Sequence, residues 1–148
     1  MTIVAFYDTL GVDASLYMFD QTELTTMAVS AACVDKLANM KREDAAKGNL
    51  MRRVNNLIVF ESDFKTNEAY KESLQNAVSA GFTVHTFDAV IEAGRNAGPS
   101  DKVNMKPKGE DVYMLGYTSG TTGNPKGVKV RHNSPLGTAI ATNVRFGD

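Results

Sequence analysis

Leu57-Ile58-Val59-Phe60 is an unbroken apolar run. It suits a parallel strand covered on both faces, because polar and apolar residues cease to alternate when neither face meets water. Four residues make a strand rather than a helix. Upstream, Val34, Leu37, Ala38, Lys41 and Ala45 recur at helical spacing, with Gly48 placed to end that helix. Before them lie a strand candidate, Thr26 to Ser30, and an opening strand, Ile3 to Phe6, followed by a helix that Asp13 is suited to cap. Downstream, Tyr70, Leu74 and Val78 form one helical stripe, and Gly81 stands at the C-terminal cap. Phe82 to Phe87 reads as the next strand and Phe87 to Ala93 as a short helix. Strand, helix and strand in succession predict an α/β fold, a mostly parallel sheet flanked by helices with right-handed crossovers.

Residues 1–93 therefore read as a sheet subdomain. Between Gly94 and Gly109 the chain is mostly Gly, Pro, Asn, Ser, Lys and Asp, the composition of an exposed connector over 94–110. Residues 111–132 then read as a hairpin carrying a phosphate loop, and 133–148 as the start of a following helix. There is no internal repeat and no low-complexity tract.

The hairpin holds the densest chemistry in the chain. Tyr117-Thr118-Ser119-Gly120-Thr121-Thr122-Gly123-Asn124-Pro125-Lys126-Gly127 combines hydroxyls, glycines and a lysine. Gly120, Gly123 and Gly127 let backbone N–H groups approach a ligand closely. Thr118, Ser119, Thr121 and Thr122 add hydroxyl donors, Pro125 stiffens the exit, and Lys126 supplies a flexible point charge suited to a phosphoryl oxygen. This is not the Walker pattern, since Pro125 precedes the lysine and Gly127 follows it, and both flanks read as strand. Loops rich in Gly, Ser and Thr also serve as plain solvated turns; eleven residues in this order favour a phosphate cradle.

Thr118 to Gly127 resembles the phosphate-binding signature of the AMP-forming adenylate-forming enzymes, the acyl-CoA synthetases and their relatives. Phe6-Tyr7-Asp8-Thr9-Leu10-Gly11 resembles the segment that long-chain fatty acyl-CoA synthetases carry upstream of the cradle. Between the two motifs only the order of elements matches. The resemblance implies a two-step ligase using ATP, Mg²⁺ and coenzyme A, in which a fatty acid becomes an acyl-adenylate and then a thioester. It assigns Thr118, Ser119, Gly120, Thr121, Thr122, Gly123 and Lys126 to the ATP phosphates and Thr121 to the metal shell. It also implies that the adenine-recognising segment, the ribose-holding acid and the adenylation lysine lie downstream. The chain then reads as a piece of an AMP-binding domain, inactive alone and carrying no catalytic residue of its own. Location is left open: cytoplasmic, or membrane-associated through segments outside this sequence. Other acid specificities, or a non-catalytic nucleotide-binding module that kept the cradle, fit the same residues.

Composition bounds the alternatives. At 148 residues, 43% hydrophobic and 22% charged, the chain matches one soluble domain. A formal charge of -1 argues against a nucleic-acid platform. Cys33 is the single cysteine, so there is no disulfide framework, and it reads as a small core residue. No run reaches the length of a membrane span, and the first residues lack the form of a signal peptide. Lys41-Arg42 and Arg52-Arg53 read as solvated faces rather than a phosphate patch. His85 falls out of phase with Phe82 and Val84, as a surface or partly covered residue. His132 stands where the family has a histidine; it reads equally as an acyl-pocket residue, a structural one or a cap before Ser134-Pro135. Arg131 departs from the family's usual small hydroxyl.

Overall fold

A computed structural model of the chain describes residues 1–7, 10–60, 68–99, 106–118 and 124–146. It divides into two units, one from residues 8–99 and one from residues 1–7 and 100–148.

The first unit contains helix α1 (Val12–Thr22), strand β2 (Thr26–Val29), helix α2 (Val34–Ala45), strand β3 (Asn56–Val59), helix α3 (Glu68–Ser79), strand β4 (Thr83–Thr86) and helix α4 (Phe87–Ala97). The strands form a parallel sheet in the order β2-β3-β4, with Met27 opposite Leu57 and Leu57 opposite Val84. Leu57 and Val59 are buried on one face. The expectation that both faces are sealed is corrected. Ile58 is half-buried, and Phe60 is 49% exposed, its ring meeting that of Phe87 at 5.1 Å. The apolar run reflects one deeply buried face and one lightly covered by the start of α4. His85 stands on that second face, paired with Ile58 and exposed.

Met18 and Phe19 of α1, Val34, Leu37, Ala38 and Met40 of α2, and Val29, Ala31, Met51, Val54, Ala77 and Phe82 are buried with Leu57 and Val59. Cys33, half-buried, ends the 3₁₀ turn that leads into α2. On α3 the inward face is rotated by one position from the expected stripe. Ser73 and Ala77 are buried, whereas Val78 is 59% exposed. Polar contacts set the rotation, because Ser73 Oγ and Asn76 Nδ2 donate to the two carboxylate oxygens of Asp35 on α2 at 2.6 and 2.7 Å. These bonds, Ser73 first, hold the Asp35 carboxyl below its ordinary pKa, with Arg42 adding a smaller pull in the same direction.

Three element ends differ from expectation. Gly11, not Asp13, is the N-cap of α1, and Asp13 lies in the first turn, where a negative charge favours the helix dipole. Helix α2 stops at Ala45, before Gly48, and the left-handed residue is Asn49, with φ +50°. The buried Asp44 organises this turn, its carbonyl accepting from Lys47 N and Asn49 N and its carboxylate from Met51 N at 2.7 Å. Helix α4 runs to Ala97 rather than Ala93, started by Thr86 Oγ1 accepting from Ala89 N, so residues 94–97 of the expected connector are helical. Gly81 does cap α3, with φ +86°; Gly81 N donates to Val78 O and Phe82 N to Ala77 O, a Schellman pair.

The second unit is a mixed sheet, β1 (Ile3–Val4), β5 (Val112–Thr118) and β6 (Lys126–Arg131) in the order β1-β5-β6, followed by helix α5 (Asn133–Phe146). Residues 1–7 thus leave the sheet of residues 26–86, with which the sequence had grouped them. Ile3 and Val4 pair in parallel with Met114 and Leu115, while Ala5 N donates to Leu115 O and Thr2 Oγ1 to Val112 O. Strand β5 satisfies the backbone of this short segment. Among the described residues, no helix is long and apolar enough to cross a membrane.

Candidate functional site

Strands β5 and β6 are antiparallel, and Thr118 is the register partner of Lys126. The chain therefore leaves the sheet at Thr118 and re-enters it at the facing position, with residues 119–125 spanning the gap. Both terminal side chains are exposed, and Thr118 Oγ1 lies 3.5 Å from Lys126 O, to which it donates. Pro125 is buried immediately before β6, fixing the exit. Ser119, Gly120, Thr121, Thr122 and Gly123, the centre of the expected cradle, lie outside the described residues.

One position inward, Tyr117 pairs with Gly127. An ideal Cβ on Gly127 would stand 3.1 Å from Tyr117 Cζ and 3.3 Å from its Cε1 and hydroxyl oxygen, so the ring lies across the glycine. Gly127 has no positive φ. Its role is to make room for an aromatic ring, not to turn the chain. Because side chains alternate along a strand, this contact lies on one face of the hairpin while Thr118 and Lys126 project from the other.

At the far end the register shifts between Val112 and Met114, leaving Tyr113 as an extra residue. Its ring meets that of His132 at 5.3 Å, and His132 N donates to Asp111 O. Pairing of the Tyr117 ring with Gly127 and of Tyr113 with His132 went unremarked in the sequence. The available signal was an aromatic residue and a glycine near the two ends of one hairpin.

The basic pairs belong to the unit of residues 8–99, and each is engaged there. Lys41 Nζ donates to the carbonyls of Val54 and Gly81 and to Asn55 Oδ1; burial holds its ammonium pKa below the ordinary lysine value. Arg42 reaches Asn76 and Ser79. Arg52 pairs with Asp20 at 3.1 Å and Arg53 with Glu23 at 2.9 Å. Arg42, Arg52 and Arg53 are exposed, as solvated faces should be, while half-buried Lys41 departs from that reading; the contacts of all four also tie elements together. Tyr7, from the upstream motif, is exposed, Phe6 and Leu10 are half-buried, and Asp8 and Thr9 lie outside the described residues.

Residues 1–147 match the family described as AMP-binding enzyme. The chain belongs to that family. Among curated relatives of this AMP-binding family chain, fatty acyl-CoA synthetase B of Dictyostelium discoideum is 32% identical over 132 residues, covering 89% of this chain and 18% of the relative. Human long-chain-fatty-acid–CoA ligase 1 is 34% identical over 135 residues, covering 90% and 17%. The chain thus spans less than a fifth of these relatives. Among solved structures, the A domain of a carboxylic acid reductase from Segniliparus rugosus, in complex with AMP and a co-purified carboxylic acid, superposes with a TM-score of 0.67. That match covers 90% of this chain and 20% of the other at 22% identity, a likeness of fold.

Proposed function

We propose that this AMP-binding family chain supplies the phosphate loop of an ATP-dependent, AMP-forming fatty acid–CoA ligase. The observation that carries this reading is the Thr118–Lys126 stem, which presents a hydroxyl and an ammonium on one face at the two ends of the Ser119 to Gly123 run. Its fatty acyl-CoA ligase relatives support the acid class.

In the reaction, a fatty acid carboxylate oxygen attacks the α-phosphorus of ATP, the bond to the bridging oxygen breaks, and pyrophosphate leaves. The thiol sulfur of coenzyme A then attacks the acyl carbon and AMP departs. Charge grows on the departing pyrophosphate in the first step. N–H and hydroxyl donors of Thr118, Ser119, Gly120, Thr121, Thr122 and Gly123, with the Lys126 ammonium, stabilise it best if they are fixed beforehand. Mg²⁺ would neutralise part of the same charge. Among the described residues no group of three or more His, Cys, Asp or Glu side chains could hold a metal. The Thr121 hydroxyl would be the protein's contribution to holding such an ion.

The test is equilibrium binding of MgATP to the chain and to Lys126→Ala. Binding weakened by about tenfold is expected from the loss of one charged contact. Identical affinities would remove Lys126 from the site.

A further inference from the structure

Among the described residues strand β6 forms one edge of its sheet, and Lys126 and Gly127 have a strand neighbour on one side only. A glycine in such a strand is a weak point, because it has no side chain to pack and loses much backbone freedom when ordered. An aromatic ring laid over a strand glycine replaces the missing side chain. Tyr117 provides such a ring, and it does so directly beside the residue pair that closes the loop.

We propose that Tyr117 is a positioning residue for the phosphate loop. By covering Gly127 it holds Lys126 opposite Thr118, so that both ends of residues 119–125 are fixed before nucleotide arrives. The ring lies on the face opposite the Thr118 and Lys126 side chains and does not compete with a ligand for space there. Its effect is therefore indirect: it removes freedom that binding would otherwise have to remove. The ring, with its hydroxyl oxygen, covers the glycine, and phenylalanine keeps the ring. The role in nucleotide binding rests on the phosphate-loop reading above.

The experiment compares wild type, Tyr117→Ala and Tyr117→Phe by amide hydrogen exchange and by MgATP binding, with the amides of residues 56–59 as a control for the other sheet. Tyr117→Ala is expected to speed exchange at residues 126–128 and to weaken MgATP by about tenfold through lost preorganisation. Tyr117→Phe, which keeps the ring, is expected to retain most of the wild-type protection and affinity, and residues 56–59 to stay protected in all three. If the alanine variant fails to fold, Tyr117→Leu, which keeps bulk without a flat ring, carries the same expectations. Wild-type exchange at residues 126–128 in the variant would overturn the clamp. Faster exchange with unchanged affinity would overturn its role in positioning. A wild-type chain that binds no MgATP, yet shows the exchange difference, would instead overturn the phosphate reading and leave a structural clamp.

Discussion

The ammonium of Lys41 lies 4.1 Å from the centroid of the Phe82 ring while donating to the carbonyls of Val54 and Gly81. One side chain of α2 thereby holds both the turn that closes α3 and the segment that enters β3. Lys41→Met keeps the apolar stem but removes the charged donor, and is expected to destabilise the chain by about 1–3 kcal/mol, measured by urea unfolding. Equal stability would show that these carbonyls find water instead.

The pH dependence of this lysine has a definite sign. Burial lowers its folded pKa below the 10.5 of the free side chain. Between those two values the unfolded chain binds more protons, so the burial penalty is complete below the folded pKa and is relieved as pH rises toward 10.5. The stability gap between wild type and Lys41→Met is expected to widen across that window. A narrowing gap in paired urea titrations would contradict the assignment.

Asp35 behaves oppositely. Its folded pKa lies below the ordinary 3.8, so its contribution is present above that value and is lost as pH falls through the folded pKa. Asp35→Ala is expected to be less stable than wild type at neutral pH and to converge with it in acid. The carboxylate is exposed, so solvent screens the effect to the scale of a surface contact. A constant gap down to strong acid would show that packing, not charge, links α2 to α3.

Strands β2, β3 and β4 and helix α2 were legible because each carries its own period in a few contiguous residues. Helix α3 was legible in extent but not in phase. Tyr70, Leu74 and Val78 look like a stripe, yet the bonds from Ser73 and Asn76 to Asp35 turn Ser73 and Ala77 inward. That choice depends on a residue about forty positions away in sequence. Strand β1 was placed with the wrong neighbours for the same reason, since two residues cannot announce that their partner is Met114-Leu115. At the candidate site, composition disclosed Thr118 and Lys126, but register alone reveals that they face each other and that Tyr117 covers Gly127.

The rotated face of α3 gives a direct comparison. Leu57→Ala, at a fully buried position of β3, is expected to lower stability by about 2–5 kcal/mol, since both transfer energy and a cavity are involved. Val78→Ala, at an exposed position, is expected to stay within about 0.5 kcal/mol of wild type. A large loss at Val78 in urea unfolding would restore the stripe read from the sequence.

The contact between Tyr117 and Gly127 predicts a change of sign. Valine favours a pleated, partly exposed strand, so Gly127→Val on β6 would ordinarily stabilise it. Here the new side chain enters space held by the ring, where even a Cβ comes within 3.1 Å. Gly127→Val alone is therefore expected to destabilise by about 1–3 kcal/mol through overpacking. In a Tyr117→Ala background the obstacle is gone, and the same substitution is expected to be neutral or stabilising. The four proteins form a double-mutant cycle whose coupling should fall within about 0.5–3 kcal/mol, the range for residues in contact. Purely additive effects would mean that the ring and the glycine do not share this space, and the clamp at the mouth of the loop would fall with them.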